Sequence, residues 1–130
     1  MKTKIIRIKD IIADMYKRRF FQITGITGLL LILFSVGFIY VELFPGLQDQ
    51  VAIPLHYNVH FGIDMFGAWW QIFLFPIIGL AIYIINLILA LFMWRKEKVL
   101  SHFFAVVSVV TSFITLISTV LIVLLNVTYD

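Results

Sequence analysis

Hydrophobic positions along this chain fall into three long runs, at residues 20–43, 69–94 and 103–127, with one short periodic stretch ahead of them. Each long run exceeds the ~20 residues that an α-helix needs to cross the hydrocarbon of a bilayer. A chain crossing hydrocarbon must satisfy its own backbone hydrogen bonds, so runs of this length predict helices. The short stretch differs. Ile5, Ile8, Ile12 and Met15 recur at spacings of three and four, and Ile6 and Ile11 widen the stripe. Lys2, Lys4, Arg7, Lys9, Asp10, Asp14 and Lys17 take the other side. This predicts an amphipathic helix over residues 3–17, lying in the headgroup layer as a lipid anchor or as a docking face for a cytoplasmic protein. The pattern as a whole predicts an all-α integral membrane protein. Residues 1–19 form an interfacial helix, and residues 20–130 form a three-helix transmembrane domain with an ordered outward loop at residues 44–68.

Charge adds direction. All ten Lys and Arg residues lie in the first nineteen residues or at Arg95, Lys96 and Lys98. The loop at 44–68 has none, and carries Asp49 and Asp64 with Glu42 at its edge. Basic residues concentrate on the cytoplasmic side of a membrane protein. The N-terminus and the second loop are therefore expected inside, the first loop and the C-terminus outside, in the cell membrane. The opening segment does not read as a cleaved signal: its polar and apolar regions are too long and no small-x-small site follows. Lys2 occupies the place where myristoylation needs glycine.

Composition agrees with this class. Hydrophobic residues make up 62% of the chain and charged residues 13%, against about 25% charged in soluble domains. Cysteine is absent, which removes a disulfide scaffold, a thiolate metal site and a cysteine nucleophile. The basic residues are accounted for by anionic lipid at the cytoplasmic face, with no need for nucleic acid.

Within the spans the polar residues are few and small. The third carries Ser108, Thr111, Ser112, Thr115, Ser118 and Thr119 on one helical face. Such a seam suits close helix packing, or else the wall of a polar passage; it holds no ionisable group, as ion pathways usually do. Asn86 in the second span is a buried amide that needs partners, and the seam is expected to supply them. Pro76 is expected to kink or loosen the turn it occupies. No nucleotide-binding or hydrolase signature is present, so the chain reads as a non-enzyme. Asn126-Val127-Thr128 matches a glycosylation sequon but abuts the third span.

The loop concentrates the candidate chemistry. Pro45-Gly46 signals a turn. Residues 51–57 are β-prone but contain Pro54, which predicts an extended segment rather than a paired strand. Gly62 and Gly67 mark positions of unusual backbone dihedral or close contact. Phe61, Met65, Phe66, Trp69 and Trp70 suit the outer interface, so the loop is expected to fold back as a cap over the bundle.

The string Pro54-Leu55-His56-Tyr57-Asn58, then Gly62 and Asp64, followed by a span with Phe75-Pro76, resembles the SdpI-like immunity-protein family. It is most similar to the small domain of unknown function at the front of those proteins. That domain has an outward loop of the form Pro-x-His-aromatic-Asn, then Gly, then Asp. The resemblance covers about residues 30–90. Here Gly62 falls one place late, Ile63 replaces the usual proline, His60 is an addition, and the chain stops after three spans. The resemblance implies a membrane module with its ligand or partner loop at Pro54, His56, Tyr57, Asn58, Gly62, Asp64 and Gly67.

His56, His60 and Asp64 also form a two-imidazole, one-carboxylate set at spacings of four, which suits a divalent metal. The alternative makes both histidines hydrogen-bonded loop anchors and Asp64 an acidic cap on the second span. Two functions follow. In one, the chain recognises or assembles with another membrane protein, a peptide or itself through the outward loop. In the other, it binds a metal or small ligand in residues 54–67. Asn86, Ser108, Ser112 and Thr115 are assigned to helix packing.

Overall fold

The computed structural model describes residues 2–129, with side chains from residue 7 to residue 128. Helix α1 covers Lys2–Tyr16 and α2 covers Arg19–Glu42. A single turn, α3, covers Phe44–Leu47, with Pro45 in its first positions, where a missing N–H costs nothing. Strands β1 (Ile53–Asn58) and β2 (Gly62–Gly67) follow. A 3-10 turn at Trp69–Phe73 leads into α4 (Leu74–Met93), and α5 runs over Lys98–Tyr129.

Three helical segments, Arg19–Glu42, Trp69–Met93 and Lys98–Thr128, are long and apolar enough to cross a membrane. Large apolar side chains such as Leu30, Ile78 and Phe113 are more than half exposed along them. A contiguous apolar surface of this kind needs lipid as its solvent. The chain is a multi-pass membrane protein. The third helix starts ahead of residue 103, where its apolar run begins, because Lys98–His102 continue the backbone ladder beyond the hydrocarbon.

Helix α5 lies against both α2 and α4, which touch each other less. Small residues permit this. A Cβ at Gly28 would sit 2.6 Å from the Tyr83 ring, and one at Gly79 would collide with Thr115. Ser108, Ser112, Thr115 and Thr119 are buried along the same line. The hydroxyls of Ser108, Ser112 and Thr115 donate to carbonyls of their own helix, those of Ala105, Ser108 and Thr111, at 2.7–2.9 Å. Asn86 is buried, but its partner is not the seam. Its amide donates to the Ile82 carbonyl at 2.9 Å, and no hydrogen bond joins it to α5 among the described residues. A carbonyl one turn back is always within reach of a helical side chain, so it wins over a neighbour that must be packed into place. Between the spans the polar links include Tyr83, whose hydroxyl donates to the Gly25 carbonyl at 2.6 Å, and Ser101, whose hydroxyl donates to the Ala90 carbonyl at 2.6 Å. Pro76, buried, is the third residue of α4, and the loosened geometry is the 3-10 turn just before it.

Apolar clusters close the two ends. At the hairpin end, Ile39, Leu43, Leu47, Ile53, Leu55, Ile72, Ile122 and Val123 are buried together. At the basic end, Met15 of α1 is buried with Phe21, Ala90, Trp94 and Ala105.

Within the segment at 51–57 the chain is paired from Ile53 onward, contrary to the expectation from Pro54. Strands β1 and β2 form an antiparallel two-stranded sheet. Such a sheet gives each strand a free edge, so a residue without an N–H is accommodated when that side faces outward. The register also slips beside it, between Pro54 and His56.

Candidate functional site

The hairpin owes its shape to its turn and two irregularities. Asn58 pairs with Gly62, leaving Val59-His60-Phe61 as a three-residue loop. The Asn58 side-chain oxygen accepts the His60 N–H at 2.9 Å, a local bond that favours a turn over continued strand. Gly62 then takes φ +76°, the left-handed conformation that closes this class of hairpin. Pro54 pairs with Phe66 and His56 with Met65, so Leu55 is an extra residue on β1. His56 pairs with Met65 and Tyr57 with Ile63, so Asp64 is an extra residue on β2. Bulges of this kind re-aim side chains. Leu55 joins Ile53 and Pro54 in an unbroken buried row. Asp64 turns to His56.

His56 Nδ1 and Asp64 Oδ1 are 2.6 Å apart, with the side chains 61% and 37% exposed. An ionised carboxylate only accepts, so in this contact Nδ1 is the donor. His60 does not join them. It sits in the turn, its ring beside Phe61, and no group of three His, Asp or Glu side chains able to hold a metal occurs among the described residues. The spacing of four would align the three residues on a helix; on a hairpin it puts His60 at the tip. Nor does Asp64 cap the second span. That role falls to Gln71, whose Oε1 accepts the Ala68 N–H at 2.9 Å while its own N–H donates to the Ala68 carbonyl. Gly67 is required by this close approach, because a Cβ there would meet Gln71 Oε1 and Leu55.

His56 stands between two apolar grooves. A groove of about 640 Å³ runs between β1 and the far end of α5, bordered by Tyr57, Phe75, Leu121 and Leu125. A second of about 310 Å³ lies towards Met65, Leu74 and Ile78. A polar pair on an apolar rim can hold the polar end of an otherwise apolar ligand or peptide.

The residue that fastens the hairpin is Asn126, the first residue of the sequon at the end of the third span. It is 4% exposed. Its amide donates at 2.8 Å both to the Pro54 carbonyl and to the Ile122 carbonyl of its own helix. A lone amide near the end of an apolar span was the available signal, the same one that singled out Asn86.

At the opposite end the Trp94 indole N–H donates to Asp14 at 2.9 Å, with Lys98 5.1 Å from the Trp94 ring centre. That hydrogen bond holds the Asp14 carboxyl below its ordinary value, against the opposing effect of desolvation and with smaller help from Lys17, Arg18 and Lys98.

Compared with protein-family models, curated proteins and solved structures, the chain matches none.

Proposed function

We propose that this is a small non-enzymatic membrane protein that recognises or assembles with another membrane protein or peptide through its hairpin. The observation that carries the proposal is the exposure of apolar residues at the hairpin tip, Val59 at 85% and Phe61 at 84%. The tip is carried on an ordered two-stranded scaffold beside the 640 Å³ groove. Exposed apolar residues on a built scaffold mark contact surfaces. The one-sided placement of the ten bases supports the hairpin and the C-terminus facing outward from the cell membrane, with α1 on the cytoplasmic surface against anionic lipid. The resemblance to the SdpI-like immunity proteins is part of the same proposal, since its motif residues lie on this hairpin.

A second reading is supported by the His56–Asp64 pair on the groove rim. Here the loop binds a metal or small ligand, with ligands beyond the pair supplied from outside the chain. One experiment separates the two. A photo-crosslinking residue at Val59, activated in native membranes, is expected to give a discrete protein adduct that Phe61→Asp abolishes and His56→Ala leaves. Adducts with lipid alone, at Val59 as at Phe113 in the middle of α5, would overturn assembly through the tip. A divalent-ion stabilisation lost in His56→Ala would favour the second reading.

A further inference from the structure

We infer that the cleft between α1 and α4 is a binding site for one anionic phospholipid, with its phosphate held by Arg7, Arg95 and Lys96. The inference rests on the reading of α1 as a membrane-surface helix and gives it a defined ligand. The cleft has a volume of about 350 Å³. Its floor is apolar, made by Ile11 of α1 and by Ile88, Leu91 and Phe92 of α4. Its rim holds Arg7, Arg95 and Lys96, and no acidic residue lines it. All three bases are exposed, and none forms an ion pair with a described carboxylate. Asp14 of α1 is bound to the Trp94 indole.

Charge and apolar surface together select the occupant. Three cations around one cleft suit a phosphate, and Arg and Lys are the usual phosphate donors. Free phosphate would leave the floor uncovered. The floor continues without a break into the exposed side chains of a membrane span, with Ile84, Ile85, Ile88 and Phe92 between 45% and 65% exposed. An acyl chain leaving the cleft therefore enters the lipid-facing side of α4 directly. A nucleic acid has no aliphatic chain to place there. Helix α1 supplies the other wall, so a bound lipid would bridge α1 to the bundle.

The test uses the full chain in a neutral detergent, with native mass spectrometry reading bound lipid. Phosphatidylglycerol, phosphatidylcholine and soluble glycerol phosphate are the three probes. Phosphatidylglycerol is expected to be retained over phosphatidylcholine, and glycerol phosphate is expected neither to bind nor to compete. Arg95→Gln and Arg95→Gln/Lys96→Gln should lower retention by about fivefold per charge removed. Lys17→Gln/Arg19→Gln, with the same charge loss away from the cleft, should retain the lipid as the wild type does. Arg95→Gln alone decides the matter if the double variant does not fold. Equal loss in both pairs would overturn the cleft while leaving α1 as a general surface anchor. Equal retention of the two lipids by the wild type would overturn both readings, and competition by glycerol phosphate would make the site one for a soluble anion.

Discussion

The two ends of the bundle are closed by different means. At the hairpin end the cap is tied through backbone groups, by the β1–β2 ladder, the Asn58–His60 turn and the Pro54 carbonyl received by Asn126, and β1 also buries Ile53 and Leu55 in the apolar cluster. Beyond that buried row the hairpin's large side chains turn outward, with Tyr57, Val59 and Phe61 exposed. At the basic end the cap is α1, whose backbone bonds lie mostly within the helix, with the Tyr16 carbonyl at its end accepting from the Gln22 side chain of α2 at 2.7 Å. It is held by side chains: Met15, 1% exposed, in the cluster with Phe21, Trp94 and Ala105, and Asp14 on the Trp94 indole. An insertion fixed at both of its ends can be ordered by its own ladder and one buried row and keep the side chains of its tip for a partner. A helix that bonds mostly to itself is docked chiefly through its side chains.

The largest expected effect breaks the side-chain end. Met15→Ala removes the fully buried residue that seats α1 against Ala90, Trp94 and Ala105. Deleting a buried methionine side chain costs about 2–5 kcal/mol. Amide exchange in α1 beyond its own fraying should rise, while exchange in β1 and β2 stays as in the wild type. Unchanged protection of α1 would mean that its docking does not depend on the cluster.

The second effect breaks the hydrogen-bonded end. Asn126→Ala leaves the buried Pro54 carbonyl without its donor, a loss of about 1–3 kcal/mol. Faster exchange of the β1 amides and easier proteolysis in residues 59–61 are expected, with α1 untouched. A response of α1 equal to that of the hairpin would show one cooperative unit and erase the distinction between the ends.

These two residues also show what the sequence could and could not disclose. The spans were legible because hydrocarbon thickness imposes a length that any apolar run either meets or fails, and here three meet it. Met15 was legible as one position of a periodic stripe. The pairing of residues 53–58 was not, because Pro54 argues against a central strand and the sequence does not say that both strands are edges. The meeting of His56 with Asp64 depends on Asp64 being the extra residue of a bulge, a feature of register that composition does not carry. The same register placed His60 at the tip, away from the pair that spacing alone had joined it to. Asn126 was hidden by its surroundings: its partner is a backbone carbonyl distant in sequence, and backbone carbonyls look alike in every sequence.

The smallest expected effect sharpens the comparison without breaking either end. The chain carries three tryptophans, Trp69 and Trp70 beside the hairpin and Trp94 at the basic end. Only the last is hydrogen-bonded to a carboxylate among the described residues. Asp14 has its pKa lowered from 3.8, first by that hydrogen bond. A group whose folded pKa is depressed contributes stability that is present above the unfolded value and is lost as pH falls through the folded one. The Asp14 contribution is therefore complete at neutral pH and disappears only in acid below 3.8. Because the carboxyl is exposed, solvent screens the bond and the change in overall stability is slight. The indole N–H resonance is the sensitive measure. On acidification the Trp94 signal should shift below pH 3.8, with those of Trp69 and Trp70 unmoved. Asp14→Asn keeps an acceptor in place but cannot titrate, so it should abolish the shift while leaving α1 docked through Met15. A Trp94 signal that titrates identically in Asp14→Asn would mean that some other group governs the basic end, and that the contact between α1 and Trp94 is apolar alone.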